Sequence, residues 1–104
     1  MTDYSKMSDF EINKAVGFAV GYATCIEPYF EVVIINKTGR QFNPCNSPAD
    51  AWPIIVANRI GVLPASNGDK WAAHYQEWRV AVADKNPLRA AMIVFIMIKE
   101  AENV

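Results

Sequence analysis

Two short stretches of this chain hold the side chains best suited to gripping an anion: Asn46 to Val56 (NSPADAWPIIV) and Asn86 to Ile98 (NPLRAAMIVFIMI). Each begins with an Asn close to a Pro and runs into a dense apolar segment, the pattern of a core-facing helix at its start. The first turn of a helix presents unpaired N–H groups and partial positive charge, a natural setting for phosphate or carboxylate. Arg89 adds a planar guanidinium that can hold such a group through two parallel hydrogen bonds. Asn46, Asp50 and Asn86 would line the rim, while Trp52, Trp71 and Tyr75, with Trp78 nearby, offer faces on which a base can stack. If the two helix beginnings converge, the product is a pocket for a small anionic, aromatic ligand such as a nucleotide. The plainer reading of the same residues is that Asn and Pro are caps, the indoles fill core, and Arg89 pairs with Asp50 or Asp84.

Other chemistries lack their residues. His74 is the sole histidine, and with Cys25 and Cys45 it leaves a zinc ion one ligand short; neither a C-x-x-C nor an H-x-x-x-H spacing occurs. A nucleophile needs a base within hydrogen-bond reach, yet no G-x-S-x-G elbow and no Cys–His signature is present. The glycine patterns that cradle phosphate are absent as well. The expectation is therefore binding without catalysis, and without metal or cofactor.

Charge narrows the partners. Ten basic residues stand against eleven acidic ones, a net −1 without long blocks of either sign. That leaves no basic stripe for nucleic acid and no polybasic membrane anchor. The longest apolar run, Ala90 to Ile98, falls short of the ~20 residues that span a bilayer. The first residues, MTDYSKMSDFEIN, carry acids where a signal peptide needs a basic start, and two cysteines do not make a disulfide framework. These features point to the cytoplasm, no nucleic acid, no membrane, and either a small anionic ligand or another protein as partner.

The elements that would position these residues follow from local signals. Ser8 and Glu11 make an S-x-x-E capping box, with Met7 and Ile12 at the staple positions; Ile12, Ala15, Val16, Ala19 and Val20 then recur at helical spacing up to Gly21. Close packing of another element would account for Gly17. Tyr29 to Ile35 (YFEVVII) reads as an interior strand, and Asn36 to Gly39 turns it back into a short partner at Arg40 to Asn43. The second helix starts between Asn46 and Asp50. Because Pro53 inside a helix begun at Ser47 would clash with the carbonyl of Ala49, a preliminary turn at Pro48 to Ala51 and a regular helix from Trp52 to Ile60 are expected. In that helix Ile55, Val56 and Ile60 face inward, and Gly61 is the stop. Pro64 to Asp69 reads as a loop with Asn67-Gly68 or Gly68-Asp69 at its tip. Trp71, Ala73 and Tyr75 share one parity and Trp78, Val80 and Val82 the other, so a bulge or tight turn near Gln76-Glu77 must separate two strands. In the last helix Leu88, Ala91, Met92 and Phe95 form one stripe, and Ile93, Ile96 and Met97 carry apolar character to other faces. Such a helix is buried nearly all round.

At 104 residues the chain has room for one domain and one core, and 52% hydrophobic residues is a high share to hide in it. Either the core is unusually rich or a second subunit covers part of the surface. Ile93, Ile96, Met97 and Phe18 are the surplus, so a homo-oligomer seam along the C-terminal helix, a groove for another protein, or a helix sandwiched inside the fold all satisfy the pattern. The whole predicts a single α+β domain over residues 1–104: three helices packed on a three- or four-stranded antiparallel sheet, with the C-terminal helix central.

Three blocks of this sequence resemble a known family: SDFEINKAVG at Ser8 to Gly17, NSPADAWPII at Asn46 to Ile55, and NPLRAAMIVF at Asn86 to Phe95. They are similar to the NinX-like proteins of tailed phages and prophages. The resemblance covers about a third of the chain and implies a phage origin and a non-structural accessory role. It carries over no catalytic residues. Combined with the residues above, it leads to an accessory protein that binds and sequesters a small nucleotide-like ligand of host defence signalling. The alternative is a protein–protein interaction module that docks on a host or phage protein through an apolar patch.

Overall fold

The structure is a computed structural model in which residues 3–66 and 68–102 are described. The loop tip expected at Asn67 and the chain end beyond Glu102 lie outside those residues. After a 3-10 turn at Tyr4–Lys6, the order is α1 (Asp9–Val20), β1 (Thr24–Glu27), β2 (Val32–Ile35), β3 (Gln41–Phe42), α2 (Pro48–Ala57), β4 (Gly61–Pro64), β5 (Trp71–Tyr75), β6 (Val80–Asp84) and α3 (Pro87–Glu102). The six strands form two separate three-stranded antiparallel sheets, β1-β2-β3 and β4-β5-β6. The second sheet lies on α3, which also packs on α1 and α2; α1 in turn packs on the first sheet. The fold is α+β with the C-terminal helix at its centre.

Helix α1 starts as its local signals dictate. The Glu11 amide donates to Ser8 Oγ at 3.1 Å and the Ser8 amide donates to Glu11 Oε1 at 3.3 Å, satisfying two backbone donors that a helix end leaves free. It ends at Gly21, whose φ of +94° is left-handed. Gly17 receives the Phe42 ring and Thr24, but a Cβ there would meet both at 3.6 Å, an ordinary contact.

The first sheet departs from the sequence expectation at its start. The strand begins at Val32 rather than Tyr29, because Glu27 pairs with Val32 and Pro28 to Glu31 turn between them. Tyr29 and Phe30 therefore stand at the hairpin tip, 84% and 72% exposed and edge-to-face with each other. β2 is the interior strand, with Val33 fully buried against α1.

Helix α2 also differs. Ser47 is the N-cap, Pro48 opens the helix, and the helix runs through Pro53 without a preliminary turn. Trp52, Pro53 and Val56 all face solvent while Ala51, Ile54 and Ile55 are buried. The missing Pro53 amide is thus on the side where helical hydrogen bonds lengthen toward water and a slight bend costs no packing. Val56, expected to face inward, is exposed for the same reason of phase. The helix stops at Asn58, and Gly61 opens β4 instead of ending the helix.

In the second sheet Tyr75 pairs with Val80, so the parity conflict at Gln76-Glu77 resolves as a hairpin turn. Gln76, Glu77 and Trp78 all take positive φ values there. Ala73 points into the core against α3, and Ala72 and His74 point away from it. Helix α3 buries Ala90 through Ile96 and Ile98, so the apolar surplus of Ile93 and Ile96 is used within the chain. No described helix is long and apolar enough to cross a membrane.

Candidate functional site

The beginnings of α2 and α3 do meet: Asn86 Nδ2 donates to Asn46 Oδ1 at 3.3 Å and to the Cys45 carbonyl at 2.6 Å. The start of α1 joins them. Asn46 Nδ2 donates to Asp9 Oδ2 at 3.0 Å, and Arg89 Nη1 donates to Asp9 Oδ1 at 2.7 Å. Three helix N-termini therefore converge on one cluster. Their positive ends are balanced by carboxylates of the chain itself.

Four of the five N–H groups of the Arg89 guanidinium are engaged. Besides Asp9 it donates from Nε to Asp84 at 3.1 Å, and from Nη2 to the carbonyls of Met7 and Tyr4 at 2.6 and 3.2 Å. Its side chain is 11% exposed. Burial lowers the pKa of such a group, yet the hydrogen bonds to Asp9 and Asp84 outweigh burial and hold it above the ordinary arginine value. Asn86 Oδ1 caps α3 by accepting from the amides of Leu88 and Arg89. Asp50 is equally occupied: it accepts from Arg40 Nη1 at 2.8 Å and from the Asn43 amide at 2.9 Å. Asn13 ties the cluster to α1, donating to Asn43 and accepting from the Cys45 amide. The Cys45 thiol is pushed up to about 12, first by burial and then by the negative charge of Asp9, with Arg89 pulling the other way and Asp84 adding a smaller push. This convergence joins the segments and leaves the guanidinium a single N–H without a partner among the described residues, too little for a two-bond grip on an incoming anion.

The aromatic residues go elsewhere. Trp71 and Tyr75 lie on the β5 face that carries Ala73, Tyr75 against the core and Trp71 at the strand's edge. Trp52 stands 63% exposed on the solvent side of α2. There it lines an open groove of about 480 Å³ together with Val56, Arg59, Gly61 and His74, a volume within the range of small-molecule sites.

This groove is built by two unusual pieces of backbone. At the end of α2 the Arg59 amide donates to the Val56 carbonyl and the Ile60 amide to the Ile55 carbonyl, the hydrogen-bond pair of a Schellman motif. That motif places Arg59 at φ +54°, a left-handed position where glycine is usual. Ile60 and Ile55 supply the buried apolar contact that accompanies it. The second piece is the β5–β6 turn, whose left-handed run delivers Trp78 onto His74. The rings stack with centroids 4.2 Å apart and planes 23° from parallel. Across the ladder Gly61 leaves the space that the imidazole occupies.

The Arg59 side chain has no hydrogen bond or ion pair among the described residues, in contrast to those of Arg89 and Arg40. The groove therefore offers an indole face, an imidazole backed by a second indole, and an unpaired guanidinium. Sequence reasoning placed Trp52 in a site but missed Arg59 and His74 as its companions; the clue was a non-glycine residue at the end of a helix. Among the described residues no group of three or more His, Cys, Asp or Glu side chains is arranged to hold a metal ion.

None of the curated proteins matches the chain. The family model described as bacteriophage P22, NinX matches residues 3–99, which include every element from α1 through most of α3. The chain is thus a phage accessory protein and belongs to the bacteriophage P22 NinX family.

Proposed function

We propose that this phage protein binds and sequesters a small anionic ligand with a planar ring, nucleotide-like, in the groove between Trp52, Arg59 and His74. Host defence signalling is the source of ligand that a sequestering phage accessory protein would intercept. The observation that carries the proposal is the unpaired Arg59 guanidinium beside an exposed indole, held at a left-handed backbone position. A non-glycine residue there costs roughly 1 kcal/mol of local strain, and such costs concentrate where a side chain is needed. The ring would stack on Trp52, worth about 1–3 kcal/mol per base. The phosphate or carboxylate would take the guanidinium fork. The groove lining holds no carboxylate, hydroxyl or thiol to act with His74, so retention is favoured over turnover.

The test is a thermal-shift panel of mono-, di- and cyclic nucleotides. A member at 100 times its Kd should stabilise the protein by about 2.7 kcal/mol. Trp52→Ala and Arg59→Gly should each abolish the shift. A flat response across the panel contradicts the proposal.

A second reading, docking on a host or phage protein, is favoured by the exposed Tyr29–Phe30 pair at the β1–β2 tip. Exposed aromatics of this kind are the usual anchors of interfaces. Capture of a host protein that Tyr29→Ser/Phe30→Ser abolishes, with no nucleotide response, would favour it.

A further inference from the structure

On the side of the fold formed by α1 and α3 lies a groove of about 690 Å³, floored by Ala15, Ala19 and Ile96. Phe18 stands on its wall, 86% exposed, and full burial of a phenyl side chain is worth roughly 1.5–3 kcal/mol. The rims carry opposite charges that have no ion-pair partner among the described residues. Among the described residues the Lys14 side chain on α1 rests over the Phe10 ring, and the Glu100 side chain on α3 has no bonding partner. The other rim charges are already engaged: Glu11 in the α1 capping box and Lys99 with Glu102.

We propose that this groove is the contact face for a second copy of the chain, packed about a two-fold axis. The protruding ring and the groove beside it belong to the same surface, and a two-fold contact needs a surface that can serve both sides. Each Phe18 then enters the recess over the other copy's Ala15 and Ala19. Lys14 of one copy faces Glu100 of the other, twice over. A foreign partner would need a ring and both charges in matching positions; a second copy supplies them by symmetry. The phenyl ring provides the attraction, and the rim charges set the register, since exposed ion pairs contribute little by themselves. This surface lies apart from the Trp52–Arg59–His74 groove, so its test is independent of nucleotide binding.

Sedimentation equilibrium on the full chain, from about 1 μM to 1 mM, reads the result directly. The mass should rise from 11.6 kDa toward twice that value with concentration. Phe18→Ser, a change at an exposed position, should weaken the dimer by at least about tenfold in Kd. Lys14→Glu and Glu100→Lys should each weaken it, and the two together should restore it. A monomer at every concentration overturns the proposal. A dimer indifferent to Phe18→Ser, or a double reversal that fails to recover, overturns it equally.

Discussion

Gly61 and His74 face each other across the β4–β5 ladder with no space for a side chain on the glycine: a Cβ there would lie 2.2 Å from His74 Nε2. The imidazole is fixed in that space by its stack on Trp78. One missing methyl group thereby sets the floor of the groove. Gly61→Ala should push the ring off Trp78 and cost about 1 kcal/mol, the low end for overpacking, because the clashing atoms end a side chain that faces an open groove. Urea denaturation would measure it. The cost should shrink sharply in a His74→Ala background, since the two changes share one contact.

Arg59→Gly should have the opposite effect on stability. Glycine relieves the left-handed strain, although it also loosens the unfolded chain, so a gain of a few tenths up to about 1 kcal/mol is expected. A stability gain accompanied by loss of the nucleotide response would mark Arg59 as retained for binding. An unchanged or lower denaturation midpoint would show that its side chain supports the fold.

Arg89→Ala should act on folding. It removes the cationic donor from Asp9, Asp84 and the carbonyls of Met7 and Tyr4 at once, leaving Asp9 only Asn46 and Asp84 only the Asn86 amide. Breaking a buried pair by removing one partner costs about 3–5 kcal/mol; because Asp9 and Asp84 keep part of their exposure, the lower end is expected. Arg89→Lys should recover only a fraction, as a single ammonium cannot reproduce four directed bonds. The raised Arg89 pKa adds no pH dependence in the ordinary range. Its stabilisation is complete below the unfolded value and is lost only as pH climbs through the still higher folded one.

The two cysteines should separate cleanly under a thiol reagent. Cys25 is exposed on β1 and should react in the native state; Cys45 is buried and should wait for unfolding. Burial raises the Cys45 pKa from 9.0 to about 12, so the native state holds its proton longer than the unfolded chain. The associated stability is intact below about pH 9 and drains away between pH 9 and 12. Melting temperature followed across that window, with Cys45→Ala as control, checks the sign.

How much of this was legible in the sequence depended on whether the cause was local. The start of α1 was readable because Ser8, Glu11, Met7 and Ile12 act on one another within a single turn. The position of α3 was readable because Asn86 and Pro87 precede an apolar run too long for one face. β1 was missed because Cys25 and Ile26 are both exposed, leaving no alternation to detect. β4 was missed because Gly61 and Pro64 look like breakers; what makes Gly61 a strand residue is His74, thirteen positions later. The caps showed where α2 and α3 begin, while the meeting of those beginnings was only a condition of the sequence reading, met through Asn86, Asn46 and Cys45. The Arg89–Asp84 pair was within reach of the plainer sequence reading, but the rest of the Arg89 contacts were not, because Asp9 comes from 80 residues away and two of its acceptors are backbone carbonyls. The binding groove was half visible for the same reason. Trp52 stands out in the sequence, whereas Arg59 gains its place only from how α2 ends.

The most direct test of the groove follows the indole N–H resonances of Trp52, Trp71 and Trp78 by heteronuclear NMR during titration with the strongest-shifting nucleotide of the panel. Trp52 and Trp78 should move together and saturate, with Trp71 unmoved, and Arg59→Gly should remove the response. Saturating shifts confined to Asn46, Asn86 and their neighbours, or no shift at Trp52 at all, would contradict the account.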